Sequence, residues 1–290
     1  MDRAIFGTLV LILASILWGS SFIFIKLSVE NISGFSYTFY RSLIALAALT
    51  PLVLAKLVKN SLDIRSIRWG AVTGVTYVLG LLLQGIGTAY TTPSISAFIT
   101  GLNTVHVHIY TGLIERRYSK LLLLSLALSI LGLYLVTKPA GGFGFGELMV
   151  FLSSIAWAAE IILISRYSTR DVKRLEFLYG VLLPAITLAP YVLFIEKEIS
   201  LTIETLEYLT YLALVCTLAA TALQVIGQRY VSEATAAIIY LLEPVFAAVF
   251  SATIYGERIE TLGALGGALI ALASAVAIFD EVRREKTRNV

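Results

Sequence analysis

A carboxylate followed at once by proline stands in the middle of an apolar run: Glu243-Pro244, inside "AAIIYLLEPVFAAVFSATIY", residues 236–255. An ionisable side chain at the centre of a membrane helix costs about 2.5–3.5 kcal/mol on insertion scales, so it marks a candidate site. Proline has no amide hydrogen, so the carbonyl of Tyr240, four residues back, loses its helical partner and the helix is expected to kink there. Irregular backbone at this depth is tolerated only where it faces protein or a watery cavity. The pair therefore predicts a cavity wall. Glu243 there either bonds a cationic group of a solute, takes up a proton, or holds helices together as a buried acid.

Other polar residues in apolar stretches join it. Asn103, in "GLNTVHVHIYTGLIERR", sits at an equivalent depth. Arg41 is always charged and needs a carboxylate, carbonyl oxygens or water. Glu160 reaches either the cavity or the inner surface, and Lys26 either the site or the outer interface by snorkelling. His106 and His108 are two apart on a helix and point to opposite faces, so they do not jointly grip a metal ion. Asn103, His106 and Tyr110 do share a face. Gln84 and Gln224 offer amides that bond a solute or a neighbouring helix. Trp18, Trp157, Tyr77 and Tyr240 lie away from the ends of their segments and provide aromatic faces for an apolar portion of a solute or for packing. The chemistry is that of binding. No HExxH zinc pattern, paired carboxylates or Ser–His spacing marks a catalytic centre, and no cofactor or metal is expected.

These residues need helices to carry them. Of 290 residues, 58% are hydrophobic and 14% charged, with a mean hydropathy of +0.87. Soluble globular composition is excluded. A spanning helix takes roughly 20 apolar residues, and ten such stretches are expected, near 4–26, 35–56, 69–88, 93–114, 120–137, 145–165, 175–194, 208–228, 234–255 and 261–279. The first is too long for a signal-peptide core and reads as a retained helix. The single Cys216 excludes an intramolecular disulfide and reads as an inert core thiol. Lys and Arg are biased seventeen to three between alternate loops. This places both termini in the cytoplasm and makes "RREKTR" a lipid anchor rather than a nucleic-acid arm.

The chain also repeats itself. Shifted by 139 residues, Ser15 meets Ser154, Trp18 meets Trp157, Tyr40 meets Tyr179 and Pro51 meets Pro190. One further residue of offset pairs "QGIGTAY" with "QVIGQRY", and Ala97, Ile99, Leu102 and Val105 with Ala237, Ile239, Leu242 and Val245. Two five-helix copies, 1–138 and 139–290, meet at the connector "KPAGGFGFG". An odd helix number inverts the second copy, the architecture of alternating-access carriers. Gly263, Gly267, Ala271 and Ala275 form a small-residue stripe on helix 10, expected to pack on Ser125, Ser129 and Gly132 of helix 5, with a dimer contact as the alternative.

"SILWGSSFIFIKLS", "YRSLIALAAL" and above all the run from Ala236 to Phe279, with Pro244 followed by Gly256-Glu257, resemble the ten-helix EamA-type branch of the drug/metabolite transporter superfamily. The resemblance spans the chain. It implies an all-α integral membrane carrier of two inverted repeats, with a cavity lined by helices 1, 3, 4, 6, 8 and 9. Helix 4 departs from it, carrying Asn103 and Thr104 opposite Glu243 and Pro244 where many relatives have a proline. The expected function is alternating-access transport of a small organic metabolite, an amino acid or related solute, in the export direction. The alternatives are a carrier of phosphorylated solutes and, more distantly, a membrane-embedded enzyme. The expected setting is the cell membrane of a prokaryote, as monomer or homodimer, with lipid and a small solute as the partners and no nucleic acid.

Overall fold

The structure, a computed structural model, describes residues 3–114, 118–137, 143–168, 171–196, 201–255 and 261–288. Residues 138–142 of the connector, Gly256-Glu257, and the loop cations Arg116, Arg117, Lys138, Arg170, Lys197 and Arg258 lie outside the described residues.

Among the described residues the chain is all helical, in ten successive rods. We number them α1 (Arg3–Val29), α2 (Gly34–Val58), α3 (Ile64–Ala89), α4 (93–114), α5 (Lys120–Thr137), α6 (Phe145–Tyr167), α7 (Arg174–Phe194), α8 (Ile203–Gly227), α9 (233–255) and α10 (Thr261–Arg288). Eight are long and apolar enough to cross a membrane, and Lys120–Val136 is a shorter apolar helix. Helix starts follow local chemistry. Ser33, Asp63, Thr92, Thr202 and Ser232 each accept a backbone N–H of the first turn, satisfying donors with no helical partner. Asp63 also accepts from Ser66 Oγ at 2.5 Å, and these bonds hold its carboxyl below the usual carboxylate range.

Polarity is distributed as lipid demands. Leu52, Leu57, Val75, Leu131, Leu265, Leu272 and Phe279 point outward, whereas Ser15, Ser42, Thr73, Ser125, Ser129, Ser153 and Thr217 are fully buried. Many of the buried hydroxyls bond a carbonyl of their own helix, and a few also bridge helices. Ser15 Oγ donates to Ile239 O of α9 at 3.3 Å. Its repeat mate Ser154 meets His106 Nε2 of α4 at 3.1 Å.

The packing partners obey the repeat. Exchanging each helix for the one five places on turns α1–α8 into α6–α3, α2–α8 into α7–α3, and α1–α9 into α6–α4; all six contacts are present. The α5–α10 and α2–α7 pairs map onto themselves. The α2–α7 pair is tied at both ends. Lys56 Nζ and the buried Glu176 Oε1 are 2.7 Å apart at one end of α2–α7, and Glu196 Oε2 accepts from Ser33 and Ser36 at the other.

One expectation about α10 is corrected. Helix 10 does pack on helix 5, through the fully buried Ser125 and Ser129 and through Gly132. The face it uses is Gly266, Ile270, Ala273 and Ala277: a Cβ added at Gly132 would lie 2.7 Å from Gly266 O and 2.8 Å from the Ile270 side chain. The stripe of Gly263, Gly267, Ala271 and Ala275 is turned away, with Ala271 and Ala275 exposed. A stripe shifted by one position turns about 100° around the helix, and the large Ile270 fills the contact that small residues alone were expected to make.

Candidate functional site

Three helices are interrupted at a common place. α1 breaks at Ser20, α4 at Leu102 and α9 at Leu241, each with a right-handed but flattened backbone (ψ −17°, −11° and −4°). At Leu102 and Leu241 the amide bonds the carbonyl three residues back, Ile99 O and Ile238 O. The interruptions touch. A Cβ on Gly101 would lie 3.0 Å from the Leu241 side chain, and one on Gly19 would lie 2.9 Å from Glu243 O and 2.7 Å from Phe246 Cβ. Pro244 is the third residue of the second piece of α9, Leu242–Tyr255, where an amide hydrogen is not required by the helix. Glu243 thereby sits in a first helical turn, where the aligned peptide dipoles favour negative charge. α4 breaks at the same level with no proline.

The breaks surround a cavity between the two repeats. Its empty space is about 540 Å³ counted out to its mouth, but only about 50 Å³ is wide enough for water centres. It is a narrow cleft with room for no more than a few waters, and a metabolite requires its walls to part. Of the thirteen residues expected at a site, ten line it: Trp18, Arg41, Tyr77, Gln84, Asn103, Trp157, Glu160, Gln224, Tyr240 and Glu243. Pro244 follows the last directly. Lys26 and His106 are not in the lining. Lys26 Nζ donates to Thr88 O, Ala89 O and Thr91 O at 3.1–3.3 Å, capping the C-terminal end of α3. His106 bonds Ser154 and stacks edge-on against Phe151.

The wall of the first repeat carries the cation. Arg41 is 3% exposed. Its Nε donates to Thr217 Oγ1 at 2.6 Å and its Nη1 to the Tyr37 hydroxyl. Among the described residues Arg41 has no carboxylate in salt-bridge range. Tyr37 is itself seated on Gly85, where a Cβ would lie 2.6 Å from its ring. Thr217 belongs to a wide π-helical stretch of α8, Leu212–Ala219. The same stretch presents Cys216 O to Trp18 Nε1 at 2.9 Å. Cys216 is buried as expected, and it adds a backbone acceptor that fixes an aromatic wall.

The wall of the second repeat carries the carboxyl groups. Glu160 is 1% exposed and accepts from Gln224 Nε2 at 2.9 Å. Glu243 is half-buried, and among the described residues its carboxylate makes no hydrogen bond or ion pair. Aromatic pairs stand on each side, Trp18 edge-on to Tyr240 and Trp157 edge-on to Tyr77, both with ring centroids 5.3 Å apart. Tyr240 is held by its hydroxyl bond to Gln228 Oε1 at 3.0 Å.

Sequence reasoning left out Ser21, Phe22, Ile25, Leu81, Thr100 and Ile161, which complete the lining. The repeat offset contained a signal for two of them: Ser21 is the mate of Glu160 and Thr100 the mate of Tyr240. Nothing in the sequence pointed to the π-helical stretch of α8.

A cavity enclosed by broken membrane helices at the interface of two repeats defines a solute carrier of the inverted-repeat class. The EamA-like transporter family matches the chain twice, over residues 5–138 and 144–279, and the chain belongs to that family. It is 26% identical over 272 residues to an uncharacterized transporter of Archaeoglobus fulgidus, covering 93% of this chain and 85% of that one. A second uncharacterized transporter of the same organism is 25% identical, with 89% and 92% covered. A solved crystal structure superposes with a TM-score of 0.74 at 17% identity over 96% of this chain and 98% of the other; at that identity the likeness concerns the fold.

Proposed function

We propose that this transporter exports a small organic metabolite, an amino acid or a related zwitterionic solute, by alternating access through the cavity between its repeats. The carrying observation is that Arg41 on one wall and Glu160 and Glu243 on the other line a single cleft. An unpaired buried charge is costly, and a solute bearing both an anionic and a cationic group relieves both walls together. The aromatic pairs offer faces to its apolar part. A phosphorylated solute fits less well, because Arg41 is the one cation in the lining and Lys26 is engaged with backbone carbonyls. In this reading Glu243, in a first helical turn and without a hydrogen-bond partner, exchanges a proton for the solute as the cavity changes sides. The charge bias of the loops supports a cytoplasmic side for both termini in this reading.

Counterflow in proteoliposomes loaded with one amino acid at a time tests the reading. Uptake of labelled amino acid is expected with at least one zwitterionic load and is expected to fall at least tenfold in Arg41→Gln. Equal uptake by parent and empty liposomes across all amino acids, with sugar phosphates accepted instead, overturns it.

A further inference from the structure

We propose that Glu160 Oε1 and Gln224 Oε1 together form the subsite that holds the ammonium group of the solute. The proposal deepens the carrier reading and rests on it for the solute's presence in the cleft. Gln224 Nε2 donates to Glu160 Oε2 at 2.9 Å. That bond orients the amide, since turning it over would set its carbonyl oxygen against a carboxylate oxygen. The outcome is two acceptors, Glu160 Oε1 and Gln224 Oε1, both shielded from solvent and both without a partner. Their residues are 1% and 2% exposed and line the cleft from α6 and α8.

A buried acceptor left unmet costs on the order of 1–3 kcal/mol, and two of them on a hydrogen-bonded pair of residues call for a ligand rich in donors. An ammonium group has three N–H donors and a positive charge beside a carboxylate. A neutral hydroxyl has one donor and no charge, and a carboxylate or phosphate offers acceptors only. The neighbouring groups fit the opposite end of such a solute. Trp157 Nε1, three residues before Glu160 on the same face of α6, is a buried donor without a partner. Tyr77 lies edge-on to Trp157, and Arg41 lines the same cleft. The first repeat has no equivalent. Ser21 stands at the place of Glu160, so Gln84, the mate of Gln224, has no carboxylate beside it and donates its amide nitrogen to the Thr100 hydroxyl at 3.1 Å. One repeat alone thus presents the acceptors, which fixes which way round the solute lies.

Titration calorimetry of the purified full-length chain tests the assignment with phenylalanine, leucine, serine and phenethylamine as amine-bearing probes and 3-phenylpropionate as the deaminated control. The parent is expected to bind at least one amine-bearing probe at least tenfold more tightly than 3-phenylpropionate. Glu160→Gln and Gln224→Met are each expected to weaken that binding tenfold or more while changing 3-phenylpropionate less than threefold. Gln224→Met keeps the carboxylate, so it decides the matter if Glu160→Gln does not fold. Binding of amines that is unchanged in both variants overturns the subsite, as does a parent that binds none of the amine-bearing probes. Counterflow of the same probes separates the two readings. Transport that is indifferent to Glu160 and Gln224 leaves the carrier reading standing and removes the subsite. Amine binding that needs both residues but is accompanied by no transport does the reverse.

Discussion

The two repeats share a backbone plan and differ in what they hold over the cavity. At matched positions the first has Ser21, Asn103 and Arg41; the second has Glu160, Glu243 and Gly180. Their tryptophans differ as well: Trp18 donates to Cys216 O, whereas the Trp157 N–H has no partner. Several scaffold contacts are exchanged by the pseudo-symmetry, although α1–α10 and α5–α9 have no mate of similar extent, and the charges are not exchanged. In the proposed reading, symmetry would supply two equivalent ways of closing the cavity, one toward each side of the membrane, and asymmetry a single orientation for a polar solute. The difference teaches that the scaffold and the polar lining of the cavity sit on separable sets of residues.

The sharpest way to break the comparison is to test whether the repeats are inverted in the membrane at all. With five helices per repeat, the exposed Asn31 after α1 and the exposed Asp171 after α6, the corresponding helix of the second repeat, are expected on opposite sides. A cysteine at Asp171 is expected to be labelled only from the cytoplasm, and one at Asn31 only from outside. The effect is all or none, and the fully buried Cys216 contributes no background. Labelling of both from the same side breaks the five-plus-five arrangement.

The next largest effect concerns charge. Glu243→Gln is expected to insert normally and to lose about a hundredfold in transport, roughly 2.7 kcal/mol of barrier, or else its dependence on pH. Asn103→Ala, at the matched position, is expected to lose less than tenfold. Parent-like transport by Glu243→Gln from pH 5 to 8 makes the carboxylate a structural acid and removes the functional asymmetry between the walls.

A smaller effect explains why Arg41 has no mate. Gly180 lies against α3, where an added Cβ would come within 2.2 Å of Ile67 O. Gly180→Ala therefore forces α3 and α7 apart, with an expected loss of about 1–3 kcal/mol, read as a lowered thermal midpoint. Gly267→Ala is the control, since its nearest neighbour is a Val245 methyl group at 3.3 Å, and it is expected to leave the midpoint unchanged. The tryptophans give a finer comparison. Both Trp→Phe variants remove similar bulk, but only Trp18→Phe removes a hydrogen bond, so it is expected to be less stable than Trp157→Phe by about 1 kcal/mol. If Trp157→Phe instead raises the KM for solute, its free N–H is a ligand contact.

Hydropathy alone gave the order and number of the rods, because burial in lipid leaves an unmistakable run of apolar residues. It failed where helix continuation is decided by something other than apolarity. α8 begins at Ile203, ahead of the expected 208, because the Thr202 cap and an amphipathic first turn start it outside the apolar run. α10 runs on to Arg288 through its charged tail, past the expected 279, because Glu, Lys and Arg are good helix formers. The break at Ser20 follows Gly19-Ser20-Ser21, residues that weaken helices, yet a continuous helix was expected. For the cleft, intramembrane charge and amides were informative because their cost demands a reason. Lys26 and His106 show the limit of that signal: each has a polar partner supplied by tertiary structure, three carbonyls for one and Ser154 for the other. No spacing within the chain announces such partners.

Pro244 is the residue whose meaning changes most on comparing the halves, and it carries the smallest expected effect. Read alone, it breaks α9. Its mate Thr104 is not a proline, and α4 is interrupted one residue before Asn103 all the same, with nearly the same backbone angles as at Leu241. Thr104 Oγ1 instead donates to Ala237 O of α9 at 2.8 Å, so the two interruptions are bonded to each other as well as packed. The break in α9 is therefore held by tertiary contacts, and proline is accommodated by it, since a first-turn amide has no helical acceptor to lose. Pro244→Ala is expected to keep the interruption and to change counterflow less than threefold, whereas Thr104→Val, which removes the bond between the interruptions, is expected to cost about 1 kcal/mol of stability and to slow counterflow more than the proline variant does. A Pro244→Ala protein that fails to transport while Thr104→Val works normally reverses this order and returns the break to the proline.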